Sequence, residues 1–209
     1  MRAIATTQFG PADLDRHADL FLALCRARKS AFVDALGWDL PHDAGLEIDQ
    51  YDFPFSRWTV LHDAGEVLAG LRLTPTTQDA PAASYMIRDA QRGRLPGLPD
   101  TLLDAPAPVS DDLWELSRVF LAPDLRGTRA IAVRAAMADA IMTSGMAVGA
   151  RRLVTLTTHM WSRWHAKYGV PLAPLGPRIG GARWYQVVEV DILDNPVTHR
   201  LLDEPAHAA

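Results

Sequence analysis

At 209 residues, 48% hydrophobic and 22% charged with a formal net charge of −4, the chain has the make-up of one sizeable globular domain. That balance excludes a disordered segment and a bulk nucleic-acid binder. A single cysteine, Cys25, allows neither an internal disulfide nor a multi-cysteine metal site.

In chain order, a short strand is expected over 2–8, followed by a strongly helical stretch over 11–36. Leu14, Ala18, Phe21, Cys25, Phe32 and Leu36 mark its apolar stripe. Residues 37–55 read as an acidic, aromatic loop. "WTVLHD" and "EVLAGLRLTPT" flank Ala64-Gly65 as a hairpin. A short helix near 86–93 and the Pro/Ala-rich loop 104–112 precede the strand "WELSRVFLAP". A long helix over about 126–148 leads to the strand 152–158, the helix 159–169 and a last strand over 183–193. Helices alternating with strands apolar enough to be buried on both faces predict an α/β sandwich around a mixed sheet. No apolar run reaches the ~20 residues of a bilayer span, and "MRAIATTQFGPADLD" lacks the apolar core of a signal peptide. A soluble cytoplasmic protein with no membrane insertion is expected.

Charge is unevenly placed. Residues 1–115 carry 10 Lys+Arg against 18 Asp+Glu, a net of −8, while 116–209 carry 11 against 7, a net of +4. Within this pattern several ionisable groups interrupt apolar elements. Arg28 lies in the helical stripe one turn before Phe32. Arg72 shares a strand face with Leu68, Gly70 and Thr74, whose small members suggest an open face. Glu47, Asp49 and Asp52 sit among Trp38, Tyr51, Phe53 and Phe55, a composition suited to a folded-down lid or to a cationic ligand. In "ELSRVF", strict alternation puts Glu115 and Arg118 on opposite faces unless a β-bulge intervenes. Any one of these could be a structural ion pair or a snorkelling side chain. Three arginines and four carboxylates together exceed what a core needs and suit a site for a charged small molecule.

Covalent chemistry is not suggested. There is no nucleophile elbow, P-loop or dinucleotide fingerprint; His159 and His165 lack carboxylates at metal spacing, and Cys25 reads as a packed residue. No metal and no cofactor are expected, which leaves direct transfer between two bound substrates. "FLAPDLRGTRAIAVRAAMADAI" (120–141) runs strand, turn, Arg-Gly-Thr-Arg, helix, and presents backbone N–H groups at a helix N-terminus. It resembles the acyl-donor turn of the GNAT N-acyltransferase fold, although Arg129 and Ala130 depart from the Gly-x-Gly/Ala pattern that wraps the pyrophosphate of coenzyme A.

Longer stretches carry a more specific resemblance. "RKSAFVDALGW" (28–38), "EIDQYD" (47–52), "GLRLTPTT" (70–77), "YMIRD" (85–89) and "ELSRVF" (115–120) are similar to the LuxI-type acyl-homoserine-lactone synthases, the bacterial autoinducer synthases. The family's characteristic set falls on Arg28, Phe32, Trp38, Asp49, Asp52, Arg72, Glu115 and Arg118. The resemblance implies a GNAT-like three-layer α/β sandwich, with helices on both faces of a mixed sheet whose central strand is bulged and splayed. One domain over 1–209 is implied, with 1–56 giving the helix and lid-like loop of the adenosylmethionine site and 57–209 the sheet core and acyl pocket.

It also implies the reaction. The α-amine of S-adenosylmethionine attacks the thioester of an acyl chain on acyl-carrier protein, or on coenzyme A, and the homoserine moiety then lactonises and expels 5′-methylthioadenosine. Glu115 is the candidate general base, paired or supported by Arg118. Arg28 or Arg72 would take the substrate carboxylate. Asp49 and Asp52 would hold adenosylmethionine or fasten the lid, and Phe32 and Trp38 would wall the pocket. The acyl tail is expected against Met137, Ile141 and Met142 and the strand bearing Thr155, Thr157 and Thr158, without the sequence distinguishing which threonine faces it. Arg126, Arg129, Arg151 and Arg152 could dock an acidic carrier protein or a coenzyme A phosphate. An acyl-CoA-dependent N-acyltransferase with another amine acceptor, and a non-catalytic module binding an adenosyl ligand or carrier protein, are the alternatives.

Overall fold

A computed structural model describes residues 3–79 and 83–203. In chain order the elements are β1 (Ala5–Phe9), α1 (Leu14–Arg28), β2 (His42–Asp43), β3 (Leu46–Glu47), β4 (Arg57–Asp63), β5 (Glu66–Pro75), α2 (Met86–Gln91), β6 (Leu113–Leu121), α3 (Gly127–Ala147), β7 (Arg152–Thr158), α4 (His159–Lys167), β8 (Ala173–Pro174), β9 (Tyr185–Asp191) and α5 (Pro196–Asp203). The strands form a seven-stranded sheet in the order β1-β4-β5-β6-β7-β9-β8, with β2 and β3 paired separately. The expected α/β class with a mixed sheet holds. The sequence reading did not foresee the small β2–β3 ladder, β8 or α5. Two compact units emerge, one of Met1–Thr74 with Leu116–Ala140 and one of Pro75–Glu115 with Ile141–Ala209.

In the first unit β1, β4 and β5 form an antiparallel ladder. A register shift between Leu61 and His62 slips the hairpin by one residue, so Trp58 rather than Arg57 faces Arg72. The slip places Arg72, Trp58, Val60 and Gly70 on the side covered by α1. There Phe21, Leu24 and Cys25 of α1 pack with Phe9, Trp58, Val60 and Phe120. Cys25 is part of this core, and burial is the main reason its thiol is pushed up to about 12.

Immediately after Arg28 the helix widens into a π-helical segment, Lys29–Ala35. An i→i+5 turn rotates later residues off the α-helical phase. Ala31 and Phe32 therefore stay in the core, whereas Leu36, expected on the apolar stripe, is 59% exposed. Ala18 is also exposed.

The second unit packs Tyr85, Ile87 and Ala90 against Leu102, Leu113, Val154 and Val187. Two of its helices, α4 and α5, carry side-chain caps. Thr158 Oγ1 accepts from Trp161 N at the start of α4, and Asn195 Oδ1 accepts from Val197 N and Thr198 N at the start of α5. Among the described residues one helix, Gly127–Ala147, is long and apolar enough by length and composition to cross a membrane, and half of its apolar window is buried within the fold. Arg129, Arg134 and Asp139 divide it, so it holds no long uninterrupted apolar run.

The openness inferred around Gly70 is not what the structure has. A Cβ there would stand 2.8 Å from both Leu24 Cδ1 and Phe120 Cε1, and Thr74 is fully buried with its hydroxyl 3.0 Å from Ser56 Oγ. The glycine lets α1 and Phe120 close on β5 beside Arg72. Gly70→Ala is accordingly expected to destabilise the fold by about 1–3 kcal/mol through overpacking. Urea denaturation reads this as a lowered midpoint at unchanged slope.

Candidate active site

The first unit gathers six of the expected charges into one buried network. Arg28, the last residue of α1, grips the loop after β3: its Nε donates to Glu47 Oε2 at 2.5 Å, and its Nη1 and Nη2 donate to Asp52 Oδ1 and Oδ2 at 2.7 and 3.0 Å. Arg72 Nη1 lies 2.5 Å from Asp49 Oδ1 and 3.2 Å from Asp52 Oδ1. Arg118 Nη2 donates to Asp49 Oδ2 at 2.6 Å, and its Nε to Glu47 Oε1 at 3.1 Å. Three guanidinium groups meet three carboxylates, and the cluster is formally neutral.

Local backbone geometry makes these contacts possible. Arg118 sits within β6 at φ 52°, a left-handed conformation that costs a non-glycine residue about 1–2 kcal/mol. Just before it, Glu115, Leu116 and Ser117 are all buried. In the loop, Asp49 N donates to Asp52 Oδ2 and Tyr51 N to Asp49 Oδ1, both at 2.9 Å, so the carboxylates brace their own turn. Spacing alone did not point to Trp58 and Ser117, which support the network together with the loop aromatic Tyr51. Trp58 Nε1 donates to Asp52 Oδ1 at 3.0 Å, Arg72 Nε to Ser117 Oγ at 3.1 Å, and the Arg72 guanidinium stands 5.6 Å from the Tyr51 ring centroid. The Trp58–Arg72 pairing was hidden by the hairpin slip.

Electrostatics follow from this pairing. Burial pushes the Asp49 and Asp52 carboxyls upward. Arg72 and Arg118 outweigh it at Asp49, and Arg72 and Arg28 at Asp52, so both stand below the ordinary carboxylate range. Burial pulls Arg28 and Arg72 down, but Asp52 and Glu47 on Arg28, and Asp49 and Asp52 on Arg72, hold both above the usual value. For Arg118 burial prevails and the shift is downward, although a guanidinium stays charged throughout the physiological range.

The loop carboxylates are thus consumed by arginines. Arg28 has all its terminal nitrogens engaged, while Arg72 Nη2 is buried with no hydrogen-bond partner. Beside the network Phe32 stacks on Trp38, centroids 5.0 Å apart at 16°, and Arg118 lies 5.8 Å from the Phe32 ring centroid. Trp38 remains 43% exposed.

Glu115, in the second unit, takes different partners. Its Oε2 and Oε1 accept the backbone N–H groups of Met86 and Ile87 at 3.1 and 2.8 Å, the first turn of α2. The buried phenol of Tyr85 is raised by that burial and by the Glu115 charge. Of the acyl-lining candidates, Met137 is buried in the first unit, and Ile141, Met142, Thr155 and Thr157 in the second. Thr158 is half-buried and caps α4. Arg129 bridges Asp63 and Glu66, and Arg152 bridges Asp112 and Glu189, which neutralises two of the four arginines considered for carrier docking.

Comparison with known proteins is consistent across sequence and fold. The profile of the autoinducer synthase family matches residues 12–179. An acyl-homoserine-lactone synthase of Ralstonia solanacearum is 34% identical over 177 residues, covering 81% of each chain. TofI, solved in a ternary complex with an inhibitor and MTA, is 29% identical with a TM-score of 0.68 over 90% of this chain and 91% of its own. BjaI, a CoA-dependent acyl-homoserine lactone synthase solved with SAM and isopentyl-CoA, shares the fold at a TM-score of 0.76 and 21% identity, over 96% of this chain and 89% of its own.

Asp52→Asn is expected to cost about 3–5 kcal/mol, since Arg28 and Arg72 would keep buried charge without compensation. The pH sign follows from the depressed carboxyls: folded protein binds fewer protons than unfolded protein, so their stabilisation is present above about pH 4 and lost as pH falls below it. The acid limb of the variant should be shallower than that of the wild type. Urea titrations at neutral pH and through the acid range read both effects. Near-wild-type stability would show that the network does not fasten the loop.

Proposed function

The chain belongs to the autoinducer synthase family, and from that premise we propose how its residues divide the work. It is an acyl-homoserine-lactone synthase, a quorum-sensing signal synthase with a GNAT-like fold. The amine of S-adenosylmethionine displaces the carrier thiol from an acyl thioester, forming an amide. A carboxylate oxygen then attacks the γ-carbon and closes the lactone, and the sulfonium carbon–sulfur bond breaks to release 5′-methylthioadenosine. Both small molecules are substrates, and the reaction as written calls for no further cofactor. On this reading residues 1–209 work as one synthase domain, and the lone reduced, buried Cys25 fits a cytoplasmic enzyme.

The unpartnered Nη2 of Arg72 supports this residue, rather than the fully engaged Arg28, as the donor to the adenosylmethionine carboxylate. Arg28, Asp52 and Glu47 then act as the loop's fastening, with Asp49 and Arg118 as its second clasp. Because the loop carboxylates are already neutralised, the sulfonium is better served by the stacked Phe32–Trp38 pair, through cation–π attraction. Glu115 is assigned as general base. The two N–H groups of α2 fix the position of its carboxylate. Ile141, Met142, Thr155 and Thr157, with Met137, are assigned to the acyl chain. Acyl-carrier protein is the proposed donor, with Arg126 and Arg151 as its candidate contacts now that Arg129 and Arg152 are ion-paired.

The observation that carries this reading is the neutral Arg28–Arg72–Arg118 network with one donor left over. Purified protein given adenosylmethionine and acyl donors should release methylthioadenosine, with the lactone identified by mass. Arg72→Lys should raise KM for adenosylmethionine, because the spare planar donor is lost. Glu115→Gln should lower turnover by about 10²-fold or more while the fold persists. Wild-type turnover in that variant would remove Glu115 from the base role.

A further inference from the structure

Glu115, the assigned general base, is aimed by a very short helix. Its oxygens accept the N–H groups of Met86 and Ile87, the first two residues of α2. α2 spans only Met86–Gln91, and its N-cap residue, Tyr85, makes no side-chain cap. Six residues do not hold a helix by themselves, because nucleation fixes several dihedrals for one hydrogen bond. The point at which α2 starts must therefore be set by side chains outside its backbone ladder.

Asp89 does this. Its carboxylate belongs to a residue only 2% exposed and reaches back past the N-cap to Ser84. Oδ2 accepts the Ser84 N–H at 2.9 Å, and Oδ1 accepts the Ser84 hydroxyl at 2.7 Å. The backbone N–H of Asp89 donates to the Tyr85 carbonyl at 3.0 Å, so side chain and main chain of one residue close the same turn. Ser84 is fully buried, and its own carbonyl accepts from Gln78 Nε2 at 3.1 Å. On the other side the Tyr85 hydroxyl donates to the Pro108 carbonyl at 2.6 Å.

We propose that Asp89 is a positioning residue for the acyl transfer: through Ser84 and the start of α2 it fixes the two amides that aim the Glu115 carboxylate. The inference rests on the synthase reading above. A buried aspartate that staples a helix start can serve stability alone. Here the two amides next to the staple are the same two that Glu115 accepts, so a shift of the helix start would move the base with it. A general base works only within hydrogen-bond reach of the proton it takes, which makes such a shift costly to turnover. What the inference requires of Asp89 is shape rather than charge. An asparagine can accept the Ser84 N–H through its oxygen and donate its amide to the Ser84 hydroxyl, which accepts as well as donates.

The test reads methylthioadenosine release from adenosylmethionine and an acyl donor, each variant being assayed below its own thermal midpoint. Asp89→Ala is expected to lower kcat about tenfold or more while KM for adenosylmethionine stays within about twofold of wild type. Asp89→Asn should recover most of that loss. Ser84→Ala deletes only the hydroxyl bond and should lower kcat less, in the same direction. On a Glu115→Gln background Asp89→Ala should have little further effect, because a residue that acts through Glu115 then has no base to position. If Asp89→Ala does not fold, Ser84→Ala on both backgrounds carries the same comparison. Wild-type kcat in Asp89→Ala or in Ser84→Ala, an asparagine variant as impaired as the alanine one, or an undiminished fall on the Glu115→Gln background overturns the inference and leaves the synthase reading standing. No release by the wild type with any donor overturns that reading, and this inference with it.

Discussion

Everything in the first unit is conditioned by three guanidinium groups taken out of water. Arg28 and Arg72 are among the largest fully buried side chains of the protein, and each demands carboxylates at hydrogen-bond distance because an unpaired buried charge is not sustainable. Those carboxylates come from one short segment, Glu47 to Asp52, whose apolar anchors are the buried Tyr51 and the partly buried Ile48. The arginines hold the segment in place, and the segment neutralises the arginines. Replacing such a network with hydrocarbon could give an equally stable core. What hydrocarbon could not give is a loop fixed in one geometry by directional bonds.

That requirement spreads into the backbone. Arg28 must sit where the α1 stripe ends, and the π-helical turn that follows sends Phe32 inward and brings Trp38 N to the Phe32 carbonyl at 2.9 Å. Arg118 reaches Glu47 and Asp49 from a left-handed position inside a strand, a local cost offset by two ion pairs. The hairpin slip at Leu61/His62 sets Trp58 across from Arg72, so the indole closes the last side of Asp52. These irregularities share an outcome: each aims a side chain at the carboxylate loop.

Much of this was legible in the sequence, and the parts that were not have physical reasons. Elements with strong periodicity were readable almost to the residue; the strand 152–158 is Arg152–Thr158 in the structure. Charged residues interrupting apolar elements singled out Arg28, Arg72 and Arg118, and the structure brings all three into one ion-paired network, because burial of charge is costly without a partner. The pairing scheme was invisible, since which carboxylate meets which arginine depends on the loop path. Glu115 shows a second limit: its partners are backbone N–H groups of Met86 and Ile87, which leave no mark in a residue pattern. Gly70 shows a third. A small residue beside an arginine reads equally as open space or as a close approach, and only the positions of Leu24 and Phe120 decide between them. The π-helix escaped for a related reason, because its phase differs from that of an α-helix by less than one residue per turn.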